Sequence, residues 1–182
     1  QRTAAVSGVA LARFGPAASA GSAVSAGRAT TVALIGAGVQ GHSHLAVIGH
    51  ALPGAVLRIH DRHPDRASAL ADAARATTGI AAAEIVPDAR DATQDAEVVI
   101  TVASFTDPTA RQSMTGDWLR PDALVIPVDY ATMCAAEVAH AAGLFLVDDR
   151  GQFLANRDAG QFDGYPEPHA TFGEAILGGT PR

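Results

Sequence analysis

The sequence contains no lysine, since all 13 basic residues among its 182 residues are arginines. Within this chain, that absence excludes a Tyr-x-x-x-Lys catalytic pair, a P-loop lysine and a Schiff-base lysine. Cysteine is almost absent as well. Cys134 stands alone, so no internal disulfide can form, and the lack of a neighbouring His or Asp favours a buried small residue over a nucleophile.

Long apolar runs, basic clusters and a signal-peptide pattern are also missing. No stretch approaches the roughly 18 apolar residues that a membrane helix needs. The net charge is −6, and no basic cluster offers a footprint for nucleic acid. We therefore expect an acidic cytoplasmic protein that binds neither membrane nor nucleic acid. Because the chain begins at Gln1 in sequence that already looks helical, we also expect a piece of a longer protein.

The most informative feature present is a glycine-rich turn after the apolar run Val32–Ile35. Gly36 permits a tight turn, Gly38 lets the backbone approach a diphosphate, and Gly41 allows the following helix to pack closely on a sheet. That helix opens at Val39 and Gln40. Its free N–H groups and positive dipole end favour phosphate. This context predicts dinucleotide binding, whereas the alternative is an ordinary strand-to-helix turn.

An acid at the end of the second apolar run bears on the coenzyme. Asp61 lies 25 positions after Gly36, close to the spacing of about 20 expected for a carboxylate that accepts from a ribose 2′-hydroxyl. The acid favours NAD, because it repels a 2′-phosphate. The adjacent Arg62 can pair with that phosphate and keeps NADP possible. Val102 and Ser104, at the end of the fourth run, are expected near the nicotinamide ribose, although simple strand termination is the alternative.

Apolar runs and helical stretches alternate along the chain. The runs are 32–35, 56–59, 82–86, 98–102, 123–128 and 144–147, and the helices are 39–51, 64–78, 89–95, 132–142 and 152–159. This alternation predicts an α/β Rossmann-type, doubly wound parallel sheet of six strands in the order 3-2-1-4-5-6, with helices on both faces. We assign 1–30 to a leading helix and an Ala/Ser/Gly-rich linker, and 31–182 to an NAD(P)-binding domain.

Several segments resemble the ornithine cyclodeaminase/mu-crystallin family. They are Arg2-Thr-Ala-Ala, Gly36-Ala-Gly-Val-Gln-Gly-His-Ser-His44, His60-Asp-Arg-His-Pro64, Asp95-Ala-Glu-Val-Val-Ile-Thr101, Trp118-Leu-Arg-Pro121 and Val147-Asp-Asp-Arg150. The resemblance implies NAD(P)-dependent chemistry at an amine-bearing carbon. The reaction would be cyclodeamination, ketimine reduction or alanine-type dehydrogenation, acting on an amino acid or imine. It also implies a second, dimerising domain that completes the substrate site, carries the substrate-binding lysine and is absent here. The full-length protein would then be a homodimer.

The same resemblance suggests two catalytic residues. Arg2 matches the family's carboxylate-binding arginine, and its alternative is a solvated arginine. Asp129 resembles the family's acid after strand five and could move a proton as the amine or imine reacts. Its alternative is the N-cap of a helix starting near Thr132. The site departs from the family's usual G-x-D pattern, since it reads Pro127-Val-Asp129-Tyr.

Other functions are weaker. A non-catalytic nucleotide- and small-ligand-binding protein of the mu-crystallin kind is the main alternative to an enzyme. A methyltransferase with a similar glycine turn would need a reversed final strand, which the parallel pattern disfavours. No matching cluster of acids or cysteines completes a site around His42, His44, His60 and His63, so no metal site is expected. Gln40 and His44 are expected to pack around the turn.

Overall fold

The computed structural model describes residues 2–16 and 29–178. Its helices are α1 (Arg2–Phe14), α2 (Val39–Ala51), α3 (Pro64–Arg75), α4 (Ala89–Thr93), α5 (Ala136–Ala141), α6 (Arg150–Asp158) and α7 (Phe172–Gly178). Its strands are β1 (Thr31–Ile35), β2 (Ala55–His60), β3 (Ile80–Ile85), β4 (Val98–Thr101), β5 (Leu124–Pro127), β6 (Leu146–Val147) and β7 (Ala170–Thr171). Most of the expected linker, residues 17–28, lies outside the described residues.

A parallel sheet in the order β3-β2-β1-β4-β5 forms the centre of the molecule. This confirms the doubly wound Rossmann-type fold, but the expected sixth position is wrong. β6 pairs with β7 in a separate two-stranded sheet. Two residues of β6 are too short to extend the main sheet, and the aromatic residues that follow bind this segment into a cluster of its own.

Both faces of the main sheet are buried, as a doubly wound sheet requires. Val32 and Leu34 point into the core formed with α1, α2 and α3. Ala33 and Ile35 point to the opposite face, where they pack with Val99, Met114 and Cys134. The period of two along β1 therefore buries successive side chains on opposite faces.

The carboxyl ends of β2, β1, β4 and β5 lie in one row. In the register, Ile35 pairs with His60 on one side and with Thr101 on the other, and Thr101 pairs with Pro127. The residues that follow these ends therefore collect at one edge of the sheet, where ligands bind in open α/β sheets.

The leading helix α1 is part of this core. Ala10 and Leu11 are buried in the cluster that covers β1, and α1 packs mainly on α2. Gly8 lies close to α2, because a Cβ built there would come within 2.9 Å of Val47 Cγ1.

Candidate nucleotide-binding site

The glycine turn has the geometry that its sequence predicts. Gly36 adopts φ +109°, and its N–H donates to the carbonyl of His60 at 2.8 Å. A Cβ on Gly36 would lie 2.6 Å from the carbonyl oxygen of Val102. A Cβ on Gly41 would lie 2.4 Å from the carbonyl oxygen of Gly36. Both positions therefore require glycine for close backbone packing.

Gly38 serves a different purpose. It is the N-cap of α2 with an ordinary φ of −81°, and no side chain caps the helix there. A Cβ on Gly38 would meet no atom within 4 Å. The N-terminus of α2 opens onto a depression lined by Ala37, Gly38, Val39, His42, Ser43 and Arg66. Uncapped N–H groups facing open space provide a place for a diphosphate.

Asp61 holds the turn from the end of β2. One carboxylate oxygen accepts from the N–H of Ala37 at 2.6 Å, and the other accepts from the N–H of His63 at 2.8 Å. Arg62 is exposed, and its Nε donates to Nε2 of His63 at 3.2 Å. The acid therefore contacts the backbone between the first two glycines of the motif.

Gln40 and His44 connect the turn to α1. The side chain of Gln40 is exposed, but its carbonyl lies 2.7 Å from Nδ1 of the fully buried His44. A carbonyl only accepts, so Nδ1 carries the proton. Nε2 lies 3.0 Å from the hydroxyl of Ser7 on α1. Burial lowers the pKa of His44, so the neutral ring accepts from Ser7 through Nε2.

Asp129 lies at the same edge of the sheet, after β5. It is only 5% exposed, and its Oδ2 accepts from the N–H of Ala103 at 3.2 Å. The N-cap alternative is wrong, because the following helix begins at Ala136 with Ala135 as its N-cap. Oδ1 has no partner at hydrogen-bonding geometry in the described part of the chain, nor do the buried hydroxyls of Thr101 and Thr132.

The electrostatic setting of Asp129 favours its protonated form. Burial raises the pKa of Asp129, while the nearby hydroxyl of Thr101 and the N–H groups of Ala103 and Met133 act in the opposite direction. A carboxyl group that keeps its proton closer to neutral pH can serve as a general acid as well as a base.

Three further residues expected in the site are Val102, Ser104 and Arg2. The carbonyl of Val102 faces Gly36, and the N–H of Val102 donates to the carbonyl of Ile35 at 2.8 Å. Ser104 is exposed in the next loop. Arg2 begins α1 with an exposed side chain, and within residues 2–16 and 29–178 it forms no ion pair. The geometry thus brings the glycine turn, Asp61, Val102 and Asp129 to one edge, while Arg2 is not joined to them by a polar contact.

An aromatic pair at this edge was missed by the sequence reasoning. Phe105 and Tyr130 lie in the loops after β4 and β5, with ring centroids 5.6 Å apart. Arg111 lies over Phe105, with its guanidinium carbon 5.8 Å from the ring centroid. Only their positions in the sequence indicate them, because Phe105 directly follows Ser104 and Tyr130 directly follows Asp129.

Two expectations about the other candidates can be compared with the structure. Cys134 is buried, and burial raises the pKa of its thiol to about 11, which agrees with a structural role. Residues 2–16 and 29–178 contain no group of three or more His, Cys, Asp or Glu side chains arranged to hold a metal ion. Over the same residues, no helix has the length and apolar character needed to cross a membrane.

Fold and site together define an α/β domain of the doubly wound Rossmann type. The chain matches the model of the ornithine cyclodeaminase/mu-crystallin family over residues 1–137 and belongs to that family. The nodulation efficiency protein NfeD of Rhizobium meliloti is 32% identical over 126 residues, which cover 68% of this chain and 37% of NfeD.

Solved structures with the same fold include three proteins of amino acid or imine chemistry. Δ1-pyrroline-2-carboxylate reductase of Thermococcus litoralis, solved with NADH and L-proline, has a TM-score of 0.72 at 21% identity, covering 100% of this chain and 55% of that one. An archaeal alanine dehydrogenase dimer with bound NAD also has a TM-score of 0.72, at 19% identity, covering 100% and 54%. A probable ornithine cyclodeaminase from Bordetella pertussis Tohama I has a TM-score of 0.68 at 20% identity, covering 97% and 54%. The chain therefore spans about half the length of these solved proteins.

Proposed function

We propose that this chain is the coenzyme-binding part of an NAD(P)-dependent enzyme that acts at the amine-bearing carbon of an amino acid or cyclic imine. The observation that carries the proposal is the uncapped N-terminus of α2, opening onto free space at Gly38, beside a turn braced by Asp61. Membership of the family and the NADH or NAD bound in two neighbours of the same fold support the coenzyme.

Each part of the coenzyme has residues suited to it. The N–H groups of Gly38, Val39 and Gln40 would hold the diphosphate, with Gly36 and Gly41 allowing the close turn. Asp61 would accept from the adenosine ribose, since each carboxylate oxygen keeps a lone pair beyond its backbone bond. Its charge favours NAD over NADP, and the adjacent Arg62 would accommodate a 2′-phosphate. Val102 and Ser104 would contact the nicotinamide ribose.

The chemistry is divided between the coenzyme and the protein. A bound nicotinamide supplies hydride transfer at the substrate carbon. Asp129 would hold or move the proton at the substrate nitrogen, for which its buried, unpartnered Oδ1 is suited. Arg2 would bind the substrate carboxylate through its planar guanidinium. Because the chain spans about half the length of its solved relatives, we propose that another part of the protein completes the pocket and forms a homodimer.

A buried acid of this kind favours the enzyme over a non-catalytic binding protein. Keeping a carboxyl group desolvated with an unpartnered oxygen costs stability, and such a cost is typical of a residue retained for chemistry. We expect this chain alone to bind NADH with little turnover.

The test is a titration of NADH fluorescence with the Gly38→Ala variant. The added methyl group meets no protein atom, so we expect folding to be kept while NADH affinity falls at least about tenfold through contact with the diphosphate. Gly143→Ala is the matched control, because a Cβ there also meets no atom within 4 Å and its φ is not positive. Equal NADH affinity of the two variants and the parent would overturn the proposal.

A further inference from the structure

Phe105, Tyr130 and Arg111, which we call the aromatic wall, stand at the edge of the sheet beside Asp129. Phe105 is 59% exposed and Tyr130 is 37% exposed, which is high for rings in contact with each other. The bond between Ala103 and Asp129 ties together the beginnings of their two loops. Tyr130 directly follows Asp129, the proposed proton-transfer group. Phe105 lies two residues after Ala103, whose N–H donates to Asp129.

Packing against two further aromatic residues supports the aromatic wall. The ring of Tyr130 contacts that of Phe162 at 5.9 Å, and Phe162 in turn contacts the buried Phe153 at 4.8 Å. Tyr130 also adopts φ +52°, which is uncommon for a bulky residue. This strained conformation turns the aromatic side chain away from the path of a regular strand and places it against Phe105.

Arg111 brings a positive charge that no acidic side chain pairs with in residues 2–16 and 29–178. Its Nε donates to the carbonyl of Thr106 and its Nη1 to the amide oxygen of Gln161, each at 3.2 Å. Neither acceptor is charged, and three of its five N–H donors remain available. Among the described arginines that lack an ion pair, only Arg111 is partly buried; the others, Arg2, Arg13, Arg62 and Arg66, are exposed.

A partly buried guanidinium without a counter-charge lowers the stability of the folded state unless an anion pairs with it. Carboxylate is the anion that its planar fork fits best, through two parallel hydrogen bonds. The neighbouring aromatic faces suit the aliphatic carbons of a small molecule. A terminal ammonium group would instead meet a like charge.

We propose that the aromatic wall is the side-chain subsite of the enzyme and selects substrates whose side chain ends in a carboxylate, namely dicarboxylic 2-amino or 2-imino acids. This rests on the proposed function, in which Asp129 acts at the substrate nitrogen and Arg2 binds the first carboxylate. The second carboxylate would pair with Arg111, and diamino acids would be disfavoured.

Calorimetric titration of the proposed homodimer, in which the rest of the protein completes the pocket, tests the inference in the presence of saturating NADH. L-glutamate, L-norvaline and L-ornithine serve as probes, because they have side chains of similar length and differ in terminal charge. We expect L-glutamate to bind at least about tenfold more tightly than L-ornithine, with L-norvaline between them. Arg111→Gln should remove this preference for L-glutamate and leave L-norvaline unchanged. Arg13→Gln is the control, since it removes the same charge from an exposed, unpaired arginine on α1.

The outcomes separate this inference from the proposed function. If NADH binds but L-glutamate does not bind, or binds no better than L-ornithine, the subsite is wrong while the coenzyme site stands. An unchanged L-glutamate affinity in Arg111→Gln would also overturn it. Failure of NADH itself to bind would remove the proposed function first, and the subsite with it.

Discussion

The carboxylate of Asp61, at the end of β2, accepts a hydrogen bond of 2.6 Å from the N–H of Ala37, between the first two glycines of the turn. The acid thus holds the backbone that we propose binds the diphosphate, and we also propose that it accepts from the ribose. These two roles predict a larger effect of its loss than a ribose contact alone would give.

We expect Asp61→Asn to weaken NADH binding by about tenfold or more, because the amide keeps only one acceptor oxygen for two backbone donors and loses the charge. Fluorescence titration measures the effect. Asp65→Asn is the control, as Asp65 is an exposed acid in the first turn of α3. Equal affinity in both variants would remove Asp61 from the site.

Gly36 is expected to be essential for stability. Gly36→Ala combines a strained φ of +109° with a Cβ only 2.6 Å from the Val102 carbonyl, so the free energy of unfolding should fall by about 2 kcal/mol or more. Urea denaturation measures this change. Gly143→Ala should stay within about 0.5 kcal/mol of the parent, and a similar small change in Gly36→Ala would show that the turn relaxes.

Asp129→Asn is expected to stabilise the chain at neutral pH. Because the pKa of Asp129 is raised in the folded state, its stabilising contribution is present below the unfolded pKa near 3.8 and is lost as pH rises through the folded pKa. The neutral amide avoids that loss and can donate to the nearby hydroxyl of Thr101. Thermal melts at pH 7 should show a gain of about 1 kcal/mol, and a lower melting temperature would contradict it.

His44 is expected to make stability fall in mild acid. Its pKa is lowered in the folded state from an ordinary value near 6.5, so the unfolded chain takes up its proton first and the free energy of unfolding falls as pH drops below about 6.5. His44→Gln should be less stable than the parent at pH 7.5 but should lose less stability between pH 7.5 and 5.5. The other six histidines are common to both proteins, so parallel pH profiles would rule out His44 as the cause.

The local pattern predicts the geometry of the glycine turn and its helix well, because each of its parts is close in sequence to the next. The helix 39–51 is correct at both ends, and Gly36 and Gly41 lie where a Cβ would meet neighbouring backbone, as the tight turn implies. These features depend on backbone conformation close to each residue in sequence. The positions of the glycines and of the acid are therefore enough to predict the turn. The expected contact of Asp61 with a ribose stays a prediction.

The proposed substrate side of the site is less predictable, because it depends on contacts between distant segments. The helix expected from Thr132 starts only at Ala136, since Tyr130 and Ala131 both adopt left-handed conformations and turn the chain first. The departure of β6 from the main sheet depends on aromatic packing that joins Phe145, Phe153 and Tyr165 across the C-terminal segment. Arg111 contacts Phe105 within the segment between β4 and β5, and that contact depends on how the whole segment folds.

The hydrogen bond between Ser7 and His44 has a spectroscopic consequence. With Nδ1 protonated and Nε2 accepting, the imidazole is fixed in the rarer of its two neutral tautomers, and the two nitrogens give distinct ¹⁵N chemical shifts. Detachment of the first helix would free the ring to exchange between forms and average those signals. A single side chain in the interior therefore reports whether the segment that begins at Arg2 is seated on the nucleotide-binding core.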